Sequence, residues 1–192
     1  MLVCWRPFIV PFEAILARIP PGGTVLDVGC GAGFLSVAAA ATGLAKSVRG
    51  FDTSAQAIGV ANQVALPPAA GPATYEVLPA DRWPDGTFDT VLVVDVLHHV
   101  PPAAHAEFLA KVCRSVAPGG RLIYKDIAPT PRWKALMNRL HDLLLARQWV
   151  HYATEQQVAE WVTANGLTVT DRGRWDRLWY PHYYVIATKP AA

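Results

Sequence analysis

Short apolar runs alternate with longer stretches of helical periodicity along this chain, and glycine or proline separates one from the next. Residues 24–28, TVLDV, read as a buried strand, preceded by Pro20-Pro21-Gly22-Gly23 and followed by a glycine-rich turn. A helix of small residues is expected over 34–44, a strand over 47–51, and a helix over 54–66 opened by Ser54 as its cap. After the loop 67–72 comes a strand at 74–78. The β-branched run FDTVLVV at 88–94 has the character of a central strand covered on both faces. A helix over 102–116, a turn at Pro118-Gly119-Gly120 and a strand over 121–125 follow. Helices over 132–150 and 154–165 lead to strands at 167–172 and 183–188, whose link is too short for a crossover helix, so they should pair antiparallel. Strands alternating with helices in this way build a parallel sheet from βαβ units.

Composition sharpens that outline. Of 192 residues, 52% are hydrophobic and 17% charged, which supports a packed core and excludes intrinsic disorder. The length suits one domain over 1–192. Seventeen basic and fifteen acidic residues leave +2, too even a balance for a protein that coats a phosphate backbone, so no nucleic-acid partner is expected. No apolar run reaches the roughly 18 residues of a membrane span. Pro7 and Pro11 interrupt the hydrophobic start, which is not read as a signal peptide. Cys4, Cys30 and Cys113 are odd in number and widely spaced, indicating neither a disulfide framework nor a metal site. A soluble, cytoplasmic protein is the expectation.

The candidate chemistry begins at Gly29-Cys30-Gly31-Ala32-Gly33, between a strand and a helix, where backbone amides and a helix N-terminus are expected to face a nucleotide-like ligand. The dinucleotide pattern needs its third glycine at position 34, which is Phe34, so a nicotinamide cofactor is disfavoured. No G-K-[ST] of a Walker loop occurs. The stretch Val25-Leu-Asp-Val-Gly-Cys-Gly-Ala-Gly33 resembles motif I of class I S-adenosylmethionine-dependent methyltransferases of the small-molecule, type 11-like kind. The motifs Gly50-Phe-Asp-Thr-Ser54, Ala80-Asp-Arg82, Gly86-Thr-Phe-Asp-Thr-Val-Leu92, Leu97-His-His-Val100 and Ala117-Pro-Gly-Gly-Arg-Leu122 follow in the family's order.

That resemblance implies an α/β, Rossmann-like, doubly wound seven-stranded mixed sheet whose last strand pair is antiparallel. It implies S-adenosyl-L-methionine as cofactor, with S-adenosyl-L-homocysteine as product. Asp27, Gly29, Gly31, Gly33, Asp52, Thr53, Asp81, Arg82 and Asp95 are the cofactor-binding residues it points to. Asp52 lies 52 − 29 = 23 residues beyond the first loop glycine, close to the roughly 20-residue offset of a ribose-binding acid. Asp81 corresponds to an acid that accepts from the adenine amino group. Each has a plainer reading as well: Asp27 as a cap of loop amides, Asp52 as a solvated strand-end acid, Asp81 as a turn residue, Cys30 as a space filler.

In an open α/β sheet the reacting groups lie beyond the carboxyl ends of the strands, where Asp95, His98, His99 and Asp126 are placed. His98 and His99 are the candidate catalytic residues, with His98 preferred as proton acceptor, against an alternative in which they cap a helix or satisfy buried polar groups. The fourth strand ends in Val94-Asp-Val-Leu97, not the [DNS]-P-P-[YF] of amino-methylating enzymes of bases. The helix over 132–150 carries Trp133, Leu136, Met137, Leu140, Leu143 and Leu144 on one face, with Arg132, Lys134, Arg139 and Arg147 outside it. That face suits packing on its own sheet or a second subunit, cover over the acceptor pocket in a helical region at 127–165, or peripheral contact with an anionic membrane. Trp175, Trp179, Tyr180, Tyr183 and Tyr184 suit either an apolar acceptor site or strand packing. Residues 1–20, with Arg6, suit a lid.

These features favour methyl transfer to a small aromatic or lipid-like acceptor. The alternatives are a partner subunit that binds S-adenosylmethionine without turnover and a nucleic-acid methyltransferase whose affinity falls steeply with salt.

Overall fold

The structure, a computed structural model, describes residues 10–146, 149–177 and 180–191. The strands are β1 (Gly23–Val28), β2 (Ala45–Asp52), β3 (Ala73–Val77), β4 (Phe88–Val94), β5 (Val116–Ile127), β6 (Thr168–Arg177) and β7 (Tyr180–Thr188). The helices are α1 (Phe12–Leu16), α2 (Phe34–Ala41), α3 (Ala55–Ala61), α4 (His105–Ser115), α5 (Arg132–Ala146) and α6 (Glu155–Ala164), with short 3-10 turns at Leu97–His99 and Pro102–Ala104. The strands form one sheet in the order β3-β2-β1-β4-β5-β7-β6. All neighbours are parallel except β7, which runs antiparallel to β5 and β6. The expected doubly wound mixed sheet is thus the observed one.

Central strands bury both faces, and the period of two sorts their side chains. Leu26, Val28, Val91, Val93, Leu122 and Tyr124 pack with Leu109 and Val112 of α4 and with Val158 and Val162 of α6. The intervening Val25, Leu92 and Ile123 pack on the opposite side with Ile15 of α1 and with Leu35, Ala39 and Ala40 of α2. The chain order reverses between β1 and β4, which opens the crevice in which such sheets bind ligands.

Several boundaries differ from the sequence reading. The helix expected to reach residue 44 ends at Ala41, because Gly43 takes a left-handed φ of 72° and β2 begins at Ala45. The third helix ends at Ala61, although Ser54 caps it as expected, its Oγ accepting from the Ala57 amide at 3.2 Å. Pro118-Gly119-Gly120 does not separate two elements; it lies within β5, where Phe88 pairs with Val116 and Thr90 already with Arg121. Gly120 fits there because a Cβ would stand 2.9 Å from the Asp89 carbonyl oxygen. The described part of the helix expected over 132–150 ends at Ala146, and Trp149 and Val150 are not helical.

The described part of the broad apolar face of α5 is largely exposed, although the helix touches β7. Ala135 is buried, whereas Trp133, Leu136, Met137, Leu140 and Leu143 are 41–61% exposed. The side chains of Arg132 and Leu144, and Arg6, Arg147 and Trp179 altogether, lie outside the described residues. Among the described residues no helix is long and apolar enough to cross a membrane. The closing aromatics divide between the two faces of β7: Tyr183 hydrogen-bonds the Ala153 carbonyl at 3.0 Å in the core, while Tyr184 stacks on Trp175 at 4.4 Å under Arg18. Most of that cluster is therefore packing, as strand alternation requires.

Candidate functional site

The glycine turn after β1 is held in a left-handed backbone: φ is 67° at Gly29, 55° at Gly31 and 76° at Gly33. Only glycine adopts such angles in succession without strain. Space is closed as well, since a Cβ on Gly29 would stand 2.6 Å from Val96 Cγ2 and one on Gly33 would stand 3.1 Å from Ala61 Cβ. The amides of this turn are largely spent inside the protein. Cys30 donates to the Phe51 carbonyl and Gly33 to the Cys30 carbonyl, both at 3.0 Å, and Gly31 donates to Asp52 Oδ2 at 2.9 Å. Of the amides expected to face a ligand, those of Cys30, Gly31 and Gly33 thus already have acceptors within the protein. What the turn offers is a wall without side chains.

Asp52, at the end of β2, accepts from Gly31 with one oxygen and from the Ser54 amide with the other at 2.8 Å, so it joins the glycine turn to the start of α3. Thr53 beside it is exposed, as are Asp81 and Arg82 in the turn after β3. Trp83 follows, wedged edge-on between Phe51 at 5.3 Å and Phe108 at 5.4 Å. Asp27, nearly fully buried, accepts a short hydrogen bond from the Ser36 hydroxyl on α2. Asp27, Gly29, Cys30, Phe34, Val94 and Asp95 line a small cleft together with Val10 and Phe12 of the amino-terminal segment. Phe12 stacks on Phe34 there, 5.8 Å apart and nearly parallel. A larger concavity of about 690 Å³, between Gln156 and Glu160 of α6 and Asp171 of β6, contains none of the residues singled out from the sequence.

Titration shifts mark the floor of the cleft. Burial, with Asp27 and Asp52 adding, pushes the Cys30 thiol far up, so it stays protonated at neutral pH and is no nucleophile. The Tyr75 phenol beneath Gly33 is raised to about 12 by burial, with Asp27 contributing next.

At the ends of β4 and β5 the geometry becomes polar. Asp95 adopts φ 57°, the positive-φ non-glycine among the described residues. It is tied twice to Lys125: its amide donates to the Lys125 carbonyl at 3.0 Å, and the fully buried ammonium reaches both carboxylate oxygens at 2.6 and 2.8 Å. A buried ammonium is tolerated only with such compensation. Next to this pair, His98 Nδ1 meets Asp126 Oδ1 at 2.5 Å, with both side chains at most 5% exposed. Asp126 also accepts from Tyr124 Oη at 3.1 Å and from the Ile127 amide at 2.7 Å. Because the Asp126 carboxylate accepts, the imidazole carries a proton on Nδ1 and donates it to Asp126. Burial and Asp126 push the Tyr124 hydroxyl well above its ordinary range, so it serves as a donor. His99 is exposed, its ring 4.1 Å from that of His98. Asp95, His98 and Asp126 each offer an atom within 4.8 Å of the others, a donor set able to take a cation, although the Lys125 ammonium already answers Asp95.

The tertiary structure thus gathers Asp27, Gly29 and Asp95 around one cleft, ties Asp52 to the glycine turn through the Gly31 amide, and sets His98 near Asp95. It also brings in Ser36, Lys125, Tyr124 and Tyr152, which the sequence reading did not select. Their signal was slight: Lys125-Asp126 is a charged pair ending an otherwise apolar strand, LIYKDI.

A methyltransferase domain family matches residues 8–172. The ubiquinone biosynthesis O-methyltransferase of Rhizobium leguminosarum bv. trifolii (strain WSM2304) is 34% identical over 168 residues, which is 81% of this chain and 63% of that protein. The 2-methyl-6-phytyl-1,4-hydroquinone methyltransferase of Synechocystis sp. (strain ATCC 27184 / PCC 6803 / Kazusa) is 34% identical over 163 residues, 79% of this chain and 48% of that protein. The chain therefore spans less than two thirds of the length of either relative. Among solved structures, a SAM-dependent methyltransferase from Methanosarcina mazei superposes with a TM-score of 0.75 at 21% identity, covering 96% of this chain and 99% of that one.

Proposed function

The chain belongs to this methyltransferase domain family, and on that premise we propose that it binds S-adenosylmethionine in the glycine-walled cleft and transfers the methyl group to a hydroxyl of a small aromatic acceptor. The observation that carries the reading is the adjacency of two structures at the sheet's switch point: the cleft lined by Asp27, Gly29 and Asp95, and the buried His98–Asp126 pair. The cleft suits the cofactor chemically, since its acid Asp27, with Asp52 at the neighbouring strand end, matches a ligand that combines an ammonium group and vicinal hydroxyls. In this reading Asp52 and Thr53 hold the ribose, Asp81 and Arg82 border the adenine, and Asp27 and Asp95 face the amino-acid end, while Gly29, Gly31 and Gly33 admit the cofactor closely.

When bound, the cofactor supplies a sulfonium methyl group that is already electrophilic. The protein's part is to align the acceptor oxygen opposite the departing sulfur and to take its proton. Alignment alone is worth about 7–11 kcal/mol. His98 Nε2 would take the proton of the acceptor hydroxyl as that oxygen receives the methyl group. Asp126 fixes the imidazole and stabilises the imidazolium, worth about two to four orders of magnitude with the base itself. The relatives' names, an O-methyltransferase of ubiquinone biosynthesis and a hydroquinone methyltransferase, support a phenolic or hydroquinone acceptor.

The test is calorimetric titration with S-adenosylhomocysteine, with NAD and ATP as controls, followed by a methyl-transfer screen on phenols and hydroquinones. Micromolar binding of the first ligand alone, weakened in Asp52→Ala, with turnover lost in His98→Asn, is the expected result. Binding without turnover on any acceptor would point to a partner subunit, and no binding would end the reading.

A further inference from the structure

Arg139 of α5 lies over the rings of two residues from the segment that follows the helix. Its guanidinium carbon is 5.8 Å from the centre of Trp149 and 5.4 Å from that of Tyr152. Tyr152 in turn meets the His98 ring edge-on at 5.7 Å, and the His151 amide donates to the His98 carbonyl at 3.3 Å. One aromatic ring therefore separates this guanidinium from the imidazole.

Among the described residues no carboxylate answers the charge of Arg139. Some other long cations meet carboxylates, as Lys134 does with Asp176, Arg49 with Glu76 and Arg174 with Glu155. Among the described residues Arg139 makes no ion pair, and its Nε is buried without a hydrogen-bond partner. A buried donor left unpaired is costly, and costlier when charged. Two rings hold the guanidinium in place, and a guanidinium so held suits a carboxylate taken through two parallel hydrogen bonds.

Resting on the methyl-transfer reading above, we propose that Arg139 is the anion-binding residue of the acceptor site, and that the acceptor is a hydroxylated aryl carboxylate. Its carboxylate docks on Arg139, its ring lies along Tyr152, and its hydroxyl reaches His98 at the other end. A molecule about one ring long between acid and hydroxyl, such as a hydroxybenzoate or hydroxycinnamate, spans that arrangement.

The experiment titrates the full chain, preloaded with S-adenosylhomocysteine, with 4-hydroxybenzoate, 3,4-dihydroxycinnamate and the methyl ester of each. At least one acid should bind about tenfold or more tightly than its ester. Arg139→Gln should abolish that preference while leaving ester affinity and cofactor affinity unchanged, and Arg139→Lys should restore part of it. Equal binding of acid and ester overturns the proposal, as does an Arg139→Gln variant that weakens both alike, which would mark the arginine as support for Trp149 and Tyr152. Failure of both acids to bind the loaded protein also overturns it and leaves the cofactor reading intact. Failure of S-adenosylhomocysteine itself overturns the reading beneath it.

Discussion

His98 Nδ1 stands 2.5 Å from Asp126 Oδ1, a contact between a turn after β4 and the end of β5, 28 positions apart in the chain. Three donors converge on Asp126, from His98, Tyr124 and the Ile127 amide, so the carboxylate is fixed and can fix the imidazole in turn. In the proposed reaction the pair serves as a positioned base.

Replacing Asp126 by Asn keeps the shape and removes the charge that stabilises the imidazolium. The expected outcome is a fall in kcat of about a hundredfold or more with the phenolic acceptor, since a positioned base contributes roughly two to four orders of magnitude. Affinity for S-adenosylhomocysteine should not change. Steady-state kinetics and calorimetry on the same preparation check both statements, and an unaltered kcat would remove Asp126 from the mechanism.

Lys125 and Asp95 form a buried ion pair beside the cleft, and removing one partner strands the other. Lys125→Met should destabilise the fold by about 3–5 kcal/mol. The double variant Lys125→Met with Asp95→Asn should recover much of that loss, because the uncompensated charge is gone. Urea unfolding of the single and double variants measures the coupling; strictly additive losses would show that the pair contributes nothing as a pair.

Asp89 opens β4 by accepting from the Thr24 amide and hydroxyl, both at 2.8 Å, which draws its carboxyl below the usual carboxylate range. A carboxylate whose folded pKa is depressed contributes stability that is present above the unfolded value of about 3.9 and is lost as pH falls through the folded pKa. The wild type should therefore lose melting temperature in the acid range below about pH 4 more steeply than Asp89→Asn. At pH 7 the variant should melt a few degrees lower, in keeping with about 1 kcal/mol for exchanged hydrogen bonds. Parallel thermal melts from pH 3 to pH 7 decide it, and identical slopes would refute the assignment.

The architecture was legible in the sequence because its signals are local. Glycine and proline punctuate the chain, FDTVLVV can only be a strand covered on both sides, and Gly29, Gly31 and Gly33 occupy positions where a side chain would meet a left-handed backbone or, at Gly29 and Gly33, a neighbouring residue. Ser54 capped its helix as read. Helix ends were less legible, since the stop at Ala41 depends on where β2 docks and not on propensity alone.

By itself, the sequence determined the order of elements, the glycine turn and the family, since these depend on spacing along one chain. The tertiary structure alone decided which polar groups meet. Lys125 finds Asp95, and His98 finds Asp126, because parallel pairing of β4 with β5 aligns their carboxyl ends; neither contact has a period that a linear pattern could carry. It also decided that the apolar face of α5 points outward and that Arg139 comes to lie over Tyr152, where the position of one helix against the end of a sheet sets the distance.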